Sequence, residues 1–253
     1  MKYEDYKALY DNLRRPKDIV DLAERLELDE ELLDVLYTQR TVRDTTKRFY
    51  RVKNQSHRLF KDWKSGKSML KIAKKERFSP ILTGLFLFQE KGYSKKYFWK
   101  CVRNPEDIRD ERLKKELTQI TNADWVYSPW ASDKQYQRGI WGENLLHEWL
   151  DEQDISYRTE EDIRGEYPKT PDCLFDEPMM LNGWEINWIE SKATFGDNIE
   201  IKKNLKKQLL PYLDLFGRGV VVYWFGFLDD FVGPENIIIA DNELLNWKFG
   251  KKP

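Results

Sequence analysis

Apolar residues recur at helical spacing through the first half of the chain. Ile19, Leu22, Ala23 and Leu26 follow an i, i+3, i+4, i+7 pattern, which predicts an amphipathic helix. A short break leads to Asp29, whose side chain suits the position just before a helix, and apolar residues then resume at helical spacing. The segment therefore predicts two helices joined by a tight turn.

The same pattern returns fifty residues later along the chain. Seven apolar positions and a capping residue, Ser79 in place of Asp29, align at this constant offset. We interpret the repeat as two helix-turn-helix-like modules, at about residues 16–53 and 66–103. Because such a module can present a helix to nucleic acid, residues 1–124 are predicted to form a helical, nucleic-acid-binding domain.

The second half of the chain alternates helix-like and strand-like segments. A helix is predicted over about residues 136–152, and three extended segments follow it before a second helix at about 199–213. The run from Gly219 to Phe225 is continuously apolar, which is typical of an inner strand buried on both faces of a sheet. The predicted order is α-β-β-β-α-β, a mixed sheet with helices on its faces, in an α/β domain over residues 125–253.

Charge is unevenly distributed along the chain. The 253 residues carry a formal net charge of −1, yet residues 40–103 hold 19 basic and 4 acidic residues, a net charge of +15. Such an excess is typical of a surface that binds a polyanion, whereas a surface charged only for solubility has mixed signs. The candidate contacts to nucleic acid here are Arg43, Lys47, Arg48, Arg51, Lys95 and Lys96.

Several classes of protein are excluded by composition. No apolar run approaches the roughly eighteen residues of a membrane span, and the polar N-terminus is not a signal peptide. The two cysteines and two histidines lack the spacing of a zinc site. We therefore expect an intracellular, cytoplasmic protein without a membrane partner, which would also be nuclear if its source is eukaryotic.

Three charged residues carry the candidate chemistry. Asp172 ends a Thr-Pro-Asp triplet before an extended segment, and Glu190 and Lys192 share a face of the next predicted strand. If the two segments pair as a hairpin, both carboxylates meet beside one ammonium. This set suits metal-assisted phosphodiester hydrolysis, because carboxylates hold a hard cation and a lysine orients water or stabilises charge on phosphate. From spacing alone, ordinary strand-end charges are the better explanation, since 34% of the chain is charged.

In this context the chain resembles the PD-(D/E)XK nuclease superfamily, which has the restriction-endonuclease-like fold. The resemblance covers about residues 136–225. The matching features are the namesake motif in Pro171-Asp172 and Glu190-Ser191-Lys192, an additional acid, Glu143, on the opening helix, and a Q-x-x-x-Y pattern formed by Gln208 and Tyr212.

A narrower resemblance rests on the Thr-Pro-Asp triplet together with the paired helical modules. These features are similar to the TPD-motif family, archaeal relatives of the vertebrate codanin-interacting nuclease. The resemblance implies that Asp172, Glu190 and the backbone carbonyl of Ser191 bind Mg²⁺, for which Mn²⁺ would substitute. It also implies that Lys192 positions the attacking water and that Glu143 helps to hold a metal.

The helix that carries Gln208 has further implications. Gln208 is expected to act in catalysis by reaching a phosphate or a base, while Pro211, inside the Q-x-x-x-Y pattern, should kink or end the helix. Four lysines share this helix, and contact with the substrate backbone or a solvated face explains them equally well. They are Lys202, Lys203, Lys206 and Lys207.

The sequence thus predicts a Mg²⁺-dependent endonuclease that hydrolyses phosphodiester bonds in nucleic acid, with DNA favoured over RNA. The alternative is a nucleic-acid-binding or partner-docking protein whose nuclease fold is catalytically inactive. A transcription factor would explain the first half of the chain alone. Neither a homodimer nor a protein partner can be read from the residues, and both stay open.

Overall fold

The computed structural model describes residues 1–250; residues 251–253, the end of the predicted domain 125–253, lie outside it. The chain forms two compact units. One contains residues 1–36 together with residues from 137 onward, and the other contains residues 37–136. Residues 1–36 therefore belong to the unit that contains the sheet.

Helices occupy most of the first 151 residues, and the sheet follows them. The first nine α-helices are α1 (Tyr3–Asn12), α2 (Lys17–Leu26), α3 (Glu30–Lys53), α4 (Ser56–Lys64), α5 (Met69–Glu76), α6 (Pro80–Glu90), α7 (Lys95–Arg103), α8 (Glu111–Ala123) and α9 (Pro129–Asp151). They are followed by β1 (Arg158–Thr159), β2 (Cys173–Leu181), β3 (Trp184–Lys192), α10 (Asn198–Asn204), α11 (Leu210–Phe216), β4 (Gly219–Tyr223), β5 (Ile237–Ala240) and β6 (Phe249–Gly250). Within residues 1–250, no helix combines the length and apolarity needed to cross a bilayer.

The strands form one mixed sheet. β1, β2 and β3 are antiparallel neighbours, β4 and β5 extend the sheet as parallel strands, and β6 pairs with β2. The β2–β3 hairpin turns at Asn182 and Gly183, whose φ angles are 48° and 85°. Positive φ at both central residues is the requirement of a type I′ turn, for which Asn-Gly is a preferred sequence. The predicted pairing of the Asp172 and Glu190 segments is confirmed.

Helices cover both faces of this sheet. On one face, Leu146 and Trp149 of α9 pack in a cluster with side chains of the strands. On the other face, Leu209 and Tyr212 of the α10–α11 segment pack with Trp188 of β3. Every residue of β4 is buried, as its continuous apolar sequence predicts. The predicted mixed sheet with helices on its faces is confirmed.

The helical segment between β3 and β4 changes its hydrogen bonding before Pro211. α10 leads into a five-residue π-helical turn, Leu205–Leu209, and α11 then restores α-helical geometry. Pro211 lies in the first turn of α11, where a missing N–H donor costs little. Of the two outcomes expected at Pro211, a kink or an end of the helix, the end does not occur, because the helical segment continues to Phe216. The irregularity lies directly upstream of the proline, at Leu205–Leu209.

Residues 37–136 form a helical unit with its own aromatic-rich core. Gly84 of α6 lets α8 approach closely, since a Cβ there would lie 2.5 Å from the Ile120 side chain. The buried Glu116 carboxylate of α8 accepts hydrogen bonds from Trp63 Nε1 and from the backbone N–H of Met69, each at 2.9 Å. This unit therefore satisfies its buried charge internally.

The two predicted modules share one turn geometry. The first helix of each ends at a left-handed residue, Glu27 with φ of 53° and Arg77 with φ of 50°. In each turn the following N–H donates at 3.1 Å to the carbonyl of an alanine, Ala23 or Ala73, as in a Schellman motif. The fifty-residue repeat is therefore present in the local backbone, while DNA binding by its helices stays a prediction.

Candidate active site

The β2–β3 pairing brings Asp172 and Glu190 together. Cys173 lies opposite Ile189 in the ladder, so the residues that flank this pair are also neighbours. The Asp172 N–H donates to Glu190 Oε2 at 3.3 Å, and Asp172 Oδ2 accepts the Ser191 N–H at 2.7 Å. Each carboxylate therefore accepts a hydrogen bond from a backbone N–H of the segment that carries the other acid.

Lys192 completes an acid–lysine group, by which we mean Asp172, Glu190 and Lys192. Its ammonium donates to Glu190 Oε1. The side chain of Glu190 is 2% exposed and that of Lys192 is 19% exposed. The three residues on which the sequence prediction depends therefore lie together at the end of β3, largely out of solvent.

Burial and like charge raise the pKa of both carboxyl groups. Burial first and the Asp172 carboxylate second raise the pKa of Glu190 to about 7. Burial also raises the pKa of Asp172, against the lowering effects of Lys192 and the Ser191 N–H. Burial lowers the pKa of Lys192, but the two carboxylates outweigh it and the pKa is raised. The group thus concentrates negative charge where water stabilises it poorly, and a cation would relieve that cost.

Glu143 of α9 belongs to the same electrostatic environment. Burial first and the Asp172 carboxylate second raise its pKa. The approach of α9 depends on Gly142, where a Cβ would lie 2.6 Å from the Trp224 ring and 3.1 Å from Ser191 Oγ. Trp224 Nε1 donates to that hydroxyl at 2.8 Å. Glycine at this position therefore sets Glu143 beside the strand that carries the acid–lysine group.

Two further ionisable side chains act on the group and were not predicted. His147, one turn after Glu143, lowers the pKa of Asp172, and its Nε2 is buried without a hydrogen-bond partner in the described part of the chain. Glu160, just after β1, raises the pKa of both Glu143 and Asp172. The four-residue spacing from Glu143 is a signal that would have found His147, whereas Glu160 carries no such signal.

Gln208 and Tyr212 approach the acids from the other face of the sheet. Tyr212, which is 2% exposed, donates its hydroxyl to the Thr170 carbonyl at 2.7 Å. Burial first and then the Glu190 carboxylate raise the pKa of Tyr212, and the Gln208 side chain lowers it. Tyr212 of the Q-x-x-x-Y pair therefore contacts the main chain two residues before Asp172.

The lysines of the α10–α11 segment remain at the surface. Lys202, Lys206 and Lys207 are exposed, and Lys203 forms an ion pair with Glu200 at 2.7 Å. The structure does not distinguish substrate contact from a solvated face, and their role stays a prediction.

The predicted basic contacts of α3 are partly neutralised. Arg48 forms an ion pair with Asp44, and Arg51 forms one with Glu76, each at 3.6 Å. Arg51 also donates to the Glu76 carbonyl at 3.1 Å. The charges of Arg48 and Arg51 are therefore partly neutralised by carboxylates of the same unit. Of the other two, Arg43 is half-buried and Lys47 is exposed.

The predicted contacts of α7 differ from those of α3. Lys95 and Lys96 are exposed in its first turn, which Ser94 caps by accepting the Tyr97 N–H at 3.1 Å. Neither lysine forms an ion pair with another residue of the described chain. Their charge therefore remains available to an external anion.

The donor set suits a hard cation only if the backbone takes part. Among residues 1–250, no three His, Cys, Asp or Glu side chains form a group that could hold a metal ion. The Ser191 N–H points to Asp172, and the carbonyl of a strand residue points to the same side as its N–H, so the Ser191 carbonyl faces the acids. Mg²⁺ takes oxygen ligands and keeps several waters. Two carboxylates and one carbonyl therefore fit this ion.

Residues 109–243 match a family model described as "Protein of unknown function TPD sequence-motif". The match covers just over half of the chain. The chain belongs to this family. The matched segment contains the Thr-Pro-Asp triplet, Glu143 and the whole acid–lysine group, so the TPD family shares the region in which these side chains meet.

The chain is also similar to curated proteins named CDAN1-interacting nuclease 1. It is 36% identical to the zebrafish protein over 130 residues, which cover 51% of this chain and 43% of that protein. It is 31% identical to the cattle and human proteins over 170 residues, which cover 64% of this chain and 60% of each relative. The chain thus spans about half the length of the curated relatives it matches. No solved structure matches the chain significantly.

Proposed function

We propose that this member of the TPD family is a metal-dependent endonuclease that hydrolyses phosphodiester bonds in nucleic acid, with DNA favoured over RNA. The hydrogen-bonded pair of Asp172 and Glu190, buried beside the Lys192 ammonium, carries the proposal. Burial disfavours charged carboxylates, and carboxyl groups with raised pKa beside a charged partner cluster at functional sites. The word nuclease in the names of the relatives supports the same reaction.

The metal would be held by Asp172, Glu190 and the Ser191 carbonyl. Glu143 would take part directly or through a water molecule, because its carboxylate already acts on Asp172. When bound, Mg²⁺ or Mn²⁺ would neutralise charge on the phosphate and favour the hydroxide form of a bound water.

The other side chains would orient the reactants. Lys192, whose pKa is raised, carries a proton at neutral pH and would donate hydrogen bonds to the attacking water or to negative charge developing on phosphate. Tyr212 would act as a positioning residue, since its bond to the Thr170 carbonyl holds the main chain that leads to Asp172. Gln208, beside Tyr212, would reach a phosphate or a base.

The architecture supports a nucleic-acid substrate. The order α9, β1–β3, α10–α11, β4 is compatible with a restriction-endonuclease-like core, and the repeated turns are compatible with helix-turn-helix modules. The net charge of +15 over residues 40–103 supports a polyanionic partner. A protein partner is part of the proposal, because the relatives are named for interaction with CDAN1.

Cleavage of labelled DNA and RNA, each single-stranded, duplex or branched, tests the proposal. We expect cutting that requires Mg²⁺ or Mn²⁺, stops with EDTA, and is lost in Asp172→Asn. Asp176→Asn is a matched control, because Asp176 is an exposed aspartate of β2 that pairs with Arg158 at 3.0 Å. Cutting that survives in Asp172→Asn would contradict the proposal.

The second candidate function is a binding protein whose nuclease fold is catalytically inactive. Among residues 1–250, no three His, Cys, Asp or Glu side chains form a group that could hold a metal ion, and this observation favours the inactive candidate. Binding without cutting on every substrate, by both wild type and Asp172→Asn, would establish this candidate instead.

A further inference from the structure

α7 carries a stripe of positive charge, defined by Lys96, Lys100 and Arg103. The i, i+4, i+7 spacing places the three residues on one helix face, over about 10 Å along the axis. All three are exposed, and none forms an ion pair with another residue of the described chain. The stripe therefore offers unneutralised charge in a row, over about three nucleotide steps of 3.4 Å.

A groove opens beside the stripe, between α7 and the start of α9. It encloses about 760 Å³. Two cations, Lys96 and Arg103, line it together with Trp99 and Trp130. Asp133 contributes one carboxylate to the lining, so the groove combines aromatic surface with a net positive rim.

The tryptophans of the groove are fixed by their surroundings. Trp130, which is 39% exposed, donates its Nε1 to the Thr121 carbonyl at 3.0 Å and packs edge-on against Trp125 at 5.5 Å. Trp99 packs edge-on against the fully buried Phe98 at 5.4 Å. A ligand that enters the groove therefore meets rings that are already ordered, which lowers the entropy cost of binding.

The stripe has an aromatic ring on its other side as well. A second depression shares Lys96 and Arg103 with the groove and is lined by Tyr97, which is 43% exposed. A charged row with rings on both sides suits a strand whose phosphates follow the row and whose bases turn sideways onto the rings.

We infer that this surface binds an unpaired segment of the nucleic-acid substrate, with its phosphates on the stripe and a base against Trp99 and Trp130. The inference rests on the proposed nuclease function and names its substrate class. Bases in a duplex are stacked on each other, so only an unpaired base can offer its face to a tryptophan ring. The carboxylate of Asp133 would accept a hydrogen bond from an amino group of that base.

Binding by the full chain carrying Asp172→Asn tests the inference without cleavage. Fluorescence anisotropy would follow three probes, each as DNA and as RNA: a blunt duplex, a single strand, and a duplex with a single-stranded tail. We expect Trp99→Ala and Trp130→Ala to lower the affinity for the single-stranded and tailed probes by about 5- to 150-fold and the affinity for the blunt duplex by much less. Trp130→Phe should retain most of the affinity, because a ring remains.

Two substitutions outside the surface serve as controls. Tyr50→Ala removes a ring that is 73% exposed in the same unit, and Lys61→Glu reverses an exposed charge on α4. The fluorescence of a 2-aminopurine base in the tail should be quenched when the tail binds to the protein with both tryptophans, and quenched less when it binds to Trp99→Ala or Trp130→Ala. Circular dichroism would show whether each variant is folded.

The outcomes separate the inference from the proposed function. Equal loss of affinity for blunt and tailed probes, or no loss in either tryptophan variant, overturns the inference, while metal-dependent cleavage by the wild type would leave the nuclease intact. A loss of affinity confined to the probes with unpaired bases, together with no cleavage by the wild type, supports the binding surface and overturns the proposed nuclease function.

Discussion

The two charged regions of this molecule are built in opposite ways. The acid–lysine group is small, buried and closed by hydrogen bonds among its own members. The stripe on α7 is exposed, and its cations form no ion pairs within residues 1–250. Removing one member of a buried group leaves its partner without a hydrogen bond or counter-charge. Each exposed charge, by contrast, contributes a small binding free energy that salt reduces by screening. Reaction and affinity should therefore respond to different substitutions.

The largest effect is expected from Lys192→Ala. Loss of its ammonium should reduce the cleavage rate by roughly 10²- to 10³-fold, because it stabilises charge only where the reaction occurs, while affinity for DNA should change little. Single-turnover cleavage and anisotropy measure the two quantities. Lys17→Ala, at an exposed lysine of the same unit, is the control. Parallel loss of cleavage and binding would show that the two regions are not separable.

A second prediction concerns the close approach of α9 to the acids. Gly142→Ala should lower the free energy of unfolding by about 1–3 kcal/mol, because its Cβ would meet the Trp224 ring. Gly139→Ala on the same helix has no atom within 4 Å of the new Cβ and should raise it by up to about 1 kcal/mol. Urea denaturation measures both. A Gly142→Ala protein as stable as Gly139→Ala would show that the site does not need this contact.

Metal addition should stabilise the protein more at pH 8 than at pH 5.5. The pKa of Glu190 in the folded protein is raised to about 7. The contribution of Glu190 to folding stability is therefore fully present below the pKa that this side chain has in the unfolded chain, and it is lost as pH rises through about 7. At pH 8 the carboxylates are charged and bind Mg²⁺, whereas protons compete with the metal at pH 5.5. We expect an increase in Tm of a few degrees, absent in Asp172→Asn. Equal increases at both pH values would contradict the prediction.

The smallest effect separates the two sets of basic residues. Lys96→Ala or Arg103→Ala should reduce the slope of log affinity against log salt concentration by about 0.7–0.9 for each phosphate that the variant no longer neutralises. Arg48→Ala and Arg51→Ala should change the slope less, since these arginines already pair with carboxylates. Salt titrations of DNA binding measure the slopes. Similar changes in all four variants would mean that internal ion pairs do not decide which cations bind.

Local patterns were enough to predict that the two acid-bearing segments pair. The alternation of β3 places Glu190 and Lys192 on one face, and the Asn182-Gly183 turn favours a β2–β3 hairpin. The register that brings Asp172 beside Glu190 also depends on an irregularity in β2 between Leu174 and Met179, which the sequence did not reveal. The fifty-residue repeat was also visible, because buried positions recur at one offset. These features depend on neighbours in the chain, so a single sequence contains them.

Contacts between distant residues could not be predicted in this way. Tyr6 of α1 donates its hydroxyl to the buried Asp197 at 2.5 Å and stacks on Phe195, which ties residues 1–36 to the sheet unit across 191 positions. The close approach at Gly142 likewise exists only once Trp224 is in place. The basic residues of the sequence predicted a positively charged surface. Which of them are neutralised depends on tertiary partners such as Glu76.

The π turn at Leu205–Leu209 has a consequence for insertions and deletions in the family. Each residue of an α-helix advances about 100° around the axis, so a residue gained or lost in α10 would rotate Tyr212 away from the Thr170 carbonyl. Loss of one residue within Leu205–Leu209 can be absorbed, because a π turn is an α turn with one extra residue. A one-residue deletion between β3 and β4 should therefore be tolerated at this turn and selected against on either side of it.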